Sequence, residues 1–348
     1  MYIIIAILLF SFLILIHELG HFVAAKLSGV QVNEFALFMG PKLFSKTIGE
    51  TTYRLNMIPF GGYCAMEGED GDSDNPRAFG RAKAWKRVII LCAGAAMNFL
   101  AGFLIVLCLN GTQLKAIPVP TIESVEPQSD LAAAGFQVGD EFLEIDGKQL
   151  YIADDLNLLL NRNTTGVFDI TVLRDGEEVE FRDVTLNRKD FGDGQMLFGF
   201  RYGSFEEKTA GNLLSYSWNN CRYFTRLVWM SLGDLVTGKA SMDDVGGPVK
   251  IVEMVNETSQ QAETTRAGLQ NTFYLFAFIA VNLAVMNMLP IPALDGGRVA
   301  SLLIVWCIEK VTRKKLNPKY EGYVHGAGML ILLAFMAFIM VKDVIGLF

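Results

Sequence analysis

The chain has 348 residues, of which 51% are hydrophobic, and it carries a formal net charge of −7 with a mean hydropathy of +0.33. That is too apolar for an ordinary soluble enzyme of this length and implies several membrane spans. Five scattered cysteines without a Cys-x-x-Cys pair leave neither a disulfide framework nor a cysteine metal site, and no nucleic acid is expected as a partner of so acidic a chain.

A span needs roughly 20 mostly apolar residues, and residues 1–25, 88–110, 273–291 and 324–341 meet or nearly meet that need. The first window has no basic residue ahead of its apolar run, so it reads as a span and not as a secretory signal peptide. Its first 16 residues are uncharged side chains. At 1.5 Å per residue they cover about 24 Å of a hydrocarbon core about 30 Å thick. The next residues, His17-Glu18-Leu19-Gly20-His21, therefore lie inside the membrane. On a helix, positions i and i+4 share a face, so His17 and His21 can both reach one Zn²⁺ while Glu18 projects beside them as a general base toward water. The chain holds only three histidines, and ionisable groups on an apolar helix are costly unless they serve a function.

Residues 22–87 hold 9 basic and 7 acidic side chains, residues 111–266 hold 14 and 25, and residues 296–322 hold 6 and 2. Counting Lys and Arg near the spans, the middle segment is extracytoplasmic and both chain ends face outward. The loops carrying the basic runs 81–87 and 313–315 are cytoplasmic, and the histidine pair lies toward that side. In the second window Gly94, Asn98 and Gly102 share one helical face, a small-residue stripe suited to close helix packing. Residues 115–190 read as strands, with turns at Asp146-Gly147 and Asp175-Gly176. Residues 212–238 mix Trp218, Tyr223 and Trp229 with Arg222 and Arg226, as an interfacial amphipathic helix does.

The third window runs into Asn287-Met288-Leu289-Pro290-Ile291-Pro292-Ala293-Leu294-Asp295-Gly296-Gly297, where prolines and glycines interrupt the helix. Catalytic zinc takes three protein ligands and keeps one position for water, so a further ligand is needed. Asp295 is an acid on broken helix at membrane depth, where irregular backbone survives only if buried in protein or facing a wet cavity. The alternative is that Asp295 only caps the helix that follows. Residues 299–308 are apolar but too short to span and are expected at the cytoplasmic surface; His325, at the start of the last window, has no partner motif and is not assigned as a ligand.

In HExxH, in NxxPxPxxDGG and in their order along the spans, the chain resembles the bacterial site-2 proteases of the RseP type, intramembrane zinc metalloproteases. The resemblance implies that Asp295 is the third zinc ligand beside His17 and His21, that Glu18 is catalytic, and that Asn287 helps hold the substrate backbone. Residues 39–44 and 54–63 resemble that family's membrane-associated β-hairpin, which places Tyr53, Leu55, Met57, Gly61, Gly62 and Tyr63 among the substrate-binding candidates. The family's Gly-Phe-Gly-Pro is Phe38-Met39-Gly40-Pro41 here, its Gly-Gly-Tyr-Val-Lys-Met is Gly61-Gly62-Tyr63-Cys64-Ala65-Met66, and its Gly-Pro in the second span is Gly94-Ala95. Val125-Glu126-Pro127-Gln128-Ser129, Ala134 to Asp140 and Ile145-Asp146-Gly147 resemble a PDZ domain, which binds an extended peptide as an added strand. Gly246-Gly247-Pro248-Val249-Lys250-Ile251 resembles a Gly-Pro-Val-Gly-Ile element of the family.

The expected fold is thus a polytopic α-helical membrane protein with about four transmembrane helices, a membrane-associated β-hairpin and one extracytoplasmic β-rich PDZ domain. Its expected divisions are residues 1–110 with HExxH and the hairpin, 111–190 as PDZ domain, 191–266 as an extracytoplasmic amphipathic segment, and 267–348 with the DGG motif. The expected setting is the bacterial inner membrane. The expected activity is zinc-dependent cleavage of the transmembrane segments of single-span proteins, such as anti-sigma factors or remnant signal peptides, with the PDZ domain taking a peptide or an external segment of the substrate. Two rivals are an interfacial zinc enzyme that trims soluble or signal-peptide fragments and an inactive PDZ-bearing membrane scaffold, the latter disfavoured because His17, Glu18, His21 and Asp295 are all present.

Overall fold

The computed structural model describes residues 2–69, 71, 73–190, 196–239, 254, 264–313 and 319–345. The 246–251 element and Lys314 and Lys315 of the basic run lie outside the described residues. The chain divides into two compact units, Met1–Ile105 with Leu227–Phe348, and Val106–Arg226.

The first unit is built from long apolar helices. Four of them are long and apolar enough to cross a membrane, over Leu8–Ser28, Ala84–Gln113, Thr265–Asn287 and Gly322–Lys342, each overlapping one of the windows read from hydropathy, though the first and third begin well away from where those windows do. They belong to α1 (Tyr2–Ser28), α2 (Ala84–Gln113), α6 (Thr265–Asn287) and α8 (Lys319–Ile345). Helices in lipid gain nothing from hiding apolar surface from one another, so they associate where small residues let backbones approach. A Cβ on Gly20 of α1 would lie 2.4 Å from the Ala93 carbonyl oxygen of α2, and one on Gly102 of α2 would lie 3.0 Å from the Ala277 carbonyl oxygen of α6. Leu13 of α1 is buried with Phe276, Ile279 and Ala280 of α6, so α1, α2 and α6 pack on one another. Among the described side chains of α8, only Ile339 is buried. Between α6 and α8 lies α7 (Asp295–Thr312), which buries Leu302 and exposes Leu303, Ile304 and Trp306.

Between α1 and α2 the chain forms β1 (Val32–Ile48) and β2 (Thr51–Met66). These two long strands fold over themselves. Residues 34–37 pair with 62–65 on one side and advance in step with 52–55 on the other, while residues 42–48 pair with 51–56. The segment 51–56 is therefore interior and the segment 62–66 pairs on one side only among the described residues. Met39, Leu43, Phe44, Ile48, Met57 and Ile58 are exposed on the outer half of this sheet.

The second unit is a sheet in the order β10–β3–β4–β6–β7, formed by Phe200–Glu206 (β10), Ile117–Val125 (β3), Glu141–Ile145 (β4), Val167–Arg174 (β6) and Glu177–Thr185 (β7), with Lys148–Gln149 (β5) paired to β4; the short helix Asp130–Ala134 (α3) joins β3 to β4, and Lys189–Asp190 (β8) pairs with Met196–Leu197 (β9) apart from the sheet. Both expected turns form. Asp146-Gly147 and Asp175-Gly176 have positive φ at both positions, the conformation that matches the right-handed twist of flanking strands. Helix α4 (Ala153–Arg162) contributes Leu156, Leu159 and Leu160 to a core with Phe142, Ile145, Phe168 and Ile170. The sheet does not stop at residue 190, because β10 pairs along β3. Nor is α5 (Ala210–Thr237) separate from it. Arg226 of α5 pairs with the fully buried Asp155 and donates to the Gln149 carbonyl at 2.6 Å, and the Arg222 and Arg226 guanidinium groups each lie 3.9 Å from the Tyr151 ring centroid. A boundary at 190 cuts through this unit because its strand order places a late strand beside the first one.

Arg226→Ala removes the cation from a buried carboxylate, which typically costs about 3 kcal/mol or more. Pulse proteolysis of the full chain in rising denaturant should therefore cut residues 106–226 at a clearly lower concentration in this variant, while Arg222→Ala, which leaves Asp155 paired, should shift it much less.

Candidate metal centre

Helix α1 presents His17 and His21 one turn apart, and the surroundings are shaped to hold their rings. The His21 Nδ1–H donates to the Ile90 carbonyl of α2 at 2.8 Å, which leaves Nε2 as a bare acceptor turned inward. The Asn287 carboxamide, at the end of α6, stands 3.5 Å from His17 Nδ1. Gly94 of α2 lies directly against both rings: a Cβ there would fall 2.4 Å from His21 Nε2 and 2.7 Å from His17 Cε1. Sequence reasoning placed Gly94 in a helix-packing stripe, and Gly102 behaves so, but Gly94 makes room for imidazoles. No spacing rule distinguishes the two uses.

Asp295 arrives from the other end of the chain. After Asn287, the segment 288–294 turns back on itself, with Ile291 N–H donating to Leu289 O at 2.7 Å and Leu294 N–H to Ile291 O at 3.1 Å. Gly296 and Gly297 let α7 start directly on this turn, since a Cβ on either would fall within 2.3 Å of the backbone of Met288 or Ile291. The N-cap of α7 is Leu294, so Asp295 is the first helical residue and not the cap. Its Oδ2 lies 3.1 Å from His17 Nε2 and 3.4 Å from His21 Nε2, and the two Nε2 atoms are 3.1 Å apart. Four ligands at 2.0–2.1 Å in a tetrahedron are separated by about 3.3 Å. The three edges of this triangle match that value, and two inward imidazole nitrogens facing a carboxylate repel as lone pairs unless a cation lies between them. The donor set fits Zn²⁺, with a fourth position left for water.

The remaining candidates divide by their pairing. Glu18 is partly buried beside the edge segment of the sheet, where a Cβ on Gly62 would come 3.8 Å from the Glu18 Cγ. Tyr53 and Leu55 sit on the interior segment, paired to Phe35 and Lys46 and to Leu37 and Phe44 respectively. Met57 is exposed, and Gly61, at φ +79°, lies against the Met39 side chain. Gly62 and Tyr63 lie on the edge segment, paired to Leu37 and Ala36. The Tyr63 hydroxyl is taken up by Glu34, which also pairs with Arg54, so what Tyr63 offers a ligand is its backbone.

Two neighbours of the centre had weak signals in the sequence. Arg298, on the first turn of α7, forms an ion pair with Glu69, which follows β2. His325 of α8 accepts from the Ala293 N–H at 3.3 Å, two residues before Asp295. The signal for His325 was its polarity in an otherwise apolar span.

Helices apolar enough to span a membrane, carrying a His–His–Asp triangle of zinc-ligand dimensions and a carboxylate beside it, define a membrane metalloprotease. The profile of peptidase family M50 matches residues 5–335, and the chain belongs to that family. It is 36% identical over 346 residues, covering 99% of each chain, to a protein of Clostridium perfringens whose name assigns it to the zinc metalloproteases. It is 27% identical over 425 residues to the regulator of sigma-W protease RasP of Bacillus subtilis and to the zinc metalloprotease RasP of Bacillus licheniformis, covering 98% of this chain and 98% of each relative. The protein is a zinc-dependent metalloendopeptidase.

Gly94→Ala tests the tightness of the ring cradle. The added methyl overlaps both imidazoles, so zinc content after dialysis against a weak chelator should fall at least tenfold while helix content by circular dichroism is retained. Gly102→Ala, which meets α6 instead, should perturb packing but keep zinc.

Proposed function

We propose that this protein cleaves the transmembrane segments of single-span membrane proteins, with His17, His21 and Asp295 holding zinc and Glu18 as general base. The observation that carries the reading is the convergence of three ligand atoms onto one triangle, two from α1, a helix of membrane-spanning length, and one from the start of α7. Zinc supplies polarisation of the attacking water and of the scissile carbonyl. Glu18 takes the proton from that water and passes it to the leaving amine. The Ile90 carbonyl accepts from His21 Nδ1–H and so keeps that ring's Nε2 turned inward, while the Asn287 carboxamide stands against His17 Nδ1.

A helical peptide bond is enclosed by its own turn, so the substrate must unwind before it reacts. In lipid its freed backbone groups need partners, since each unsatisfied one costs several kcal/mol. The edge segment 62–66, next to Glu18, offers unpaired backbone on its outer side. Gly62 and Tyr63 are thus the stronger candidates for adding a substrate strand, Asn287 can serve the same backbone from the other element, and Tyr53 and Leu55 support the sheet from inside. The exposed Leu43, Phe44, Ile48 and Ile58 suit contact with lipid.

In this reading the protein sits in the bacterial inner membrane, with the zinc site toward the cytoplasmic side and the acidic part of the second unit that follows α2 outside. That unit serves as a single PDZ domain, with β10 at the edge of its sheet and α4 linked to it where Asn157 donates to the Tyr202 hydroxyl at 2.6 Å. The groove takes an extended peptide or an external segment of the substrate. The name of the Bacillus subtilis relative, a regulator of sigma-W, points to anti-sigma factors as the substrate class, beside remnant signal peptides.

The test uses a tagged single-span substrate in detergent with metal quantified in each enzyme. Glu18→Gln should lose at least 100-fold in turnover yet keep zinc, since an amide cannot accept the proton, whereas Asp295→Ala should lose both zinc and turnover. Near-normal cleavage by the Glu18 variant would remove it from its role, and full zinc in the Asp295 variant would return that residue to a helix-starting role. Replacing residues 115–208 by a short linker, which removes the sheet together with β10 and leaves α2 and α5 whole, should preserve cleavage of a trimmed substrate and admit one with a bulky folded external domain. Equal rates on both substrates in the intact protein would dispose of a filtering role.

A further inference from the structure

We propose that His325 is a positioning residue for Asp295, acting through the backbone of Ala293; this rests on the reading of Asp295 as a zinc ligand. Ala293 has φ +83°, a left-handed conformation that a residue with a Cβ adopts only when its surroundings hold it there. Its N–H donates to His325 Nδ1 at 3.3 Å. Because Nδ1 accepts, the proton of the neutral ring sits on Nε2, which faces the Ser301 hydroxyl of α7 at 3.3 Å. The imidazole thus spans from the turn before Asp295 to the helix that starts with it.

The same face of α8 makes a second contact with this turn. Gly328, three residues on, packs so closely that a Cβ there would fall 2.4 Å from Pro292 Cβ and 2.9 Å from the Pro292 carbonyl. His325 and Gly328 are partly buried, while Val324, Gly326, Ala327 and Met329 around them are exposed. The exposed stretch of α8 around these two residues therefore meets the rest of its unit at the strained turn. A histidine on an apolar span is expensive without partners, and here it supplies the acceptor that Ala293 N–H would lack. Without that anchor Ala293 relaxes toward negative φ, and the peptide planes of Leu294 and Asp295 rotate with it, swinging the carboxylate away from His17 and His21.

The measurement is zinc affinity of the purified full chain in detergent, by competition with a chromogenic chelator, which does not depend on turnover. His325→Phe keeps the bulk of the ring but cannot accept a hydrogen bond, and should weaken zinc 10- to 100-fold, the range typical for partners of metal ligands. His325→Asn, whose carboxamide oxygen can accept from Ala293, should stay near wild type. Ala293→Gly, harmless alone, should restore most of the affinity in the His325→Phe background, because glycine keeps the left-handed turn without an anchor. A role in helix packing alone predicts no such rescue. If His325→Phe does not fold, His325→Ala replaces it and must be rescued in the same way. Wild-type affinity in His325→Phe, or a loss that Ala293→Gly leaves unrelieved in a folded variant, overturns the proposal. Asp295→Ala run in parallel keeps the two ideas apart: if it retains zinc, the ligand assignment is wrong, and if it loses zinc while His325→Phe does not, only the positioning role fails.

Discussion

The constraint on which the rest of this structure depends is that a carboxylate and two imidazoles from distant parts of the chain meet at about 3.3 Å, the edge of a zinc tetrahedron. Two devices deliver the three groups. The histidines come from the pitch of α1, and His21 is held by the bond from its outer Nδ1–H to the Ile90 carbonyl. Asp295 comes from a reversal of the chain that a continuous helix cannot make. Prolines at 290 and 292 prevent the helix from continuing, and the glycines at 296 and 297 let the next one begin in contact with the turn.

The same constraint explains why the helices around the centre approach so closely. Gly20 against Ala93 sets the depth of α1 along α2, and Gly94 uses that approach to bring α2 onto the rings. In a water-soluble enzyme bulky apolar side chains could fill this space, driven by their removal from water. In lipid that drive is absent, and contact between backbones takes its place. The arrangement is accordingly sensitive to single methyl groups at positions that carry no chemistry.

The β-sheet between α1 and α2 and the unit 106–226 share one physical feature, an exposed strand edge. Free edges are usually blunted because they recruit other chains. Here residues 62–66 lie beside Glu18, and β10 lies beside α4.

Hydropathy, the i and i+4 histidines and the proline–glycine interruption made the spans, the metal chemistry and the third-ligand candidate legible, because each follows from local periodicity or backbone restriction within a few residues. The two Asp-Gly turns were legible for the same reason. The strand order that brings β10 beside β3 was not, nor the ties of Arg226 and Tyr151 that make the start of α5 part of the second unit, since pairing between distant segments leaves no local pattern. Which hairpin residues have free backbone also depends on tertiary structure, because β2 folds over β1 and makes Tyr53 and Leu55 interior. Gly94 and His325 show the limit most clearly: a glycine reads alike whether it meets a helix or an imidazole, and a lone histidine reveals its partner only when the chain has closed around it.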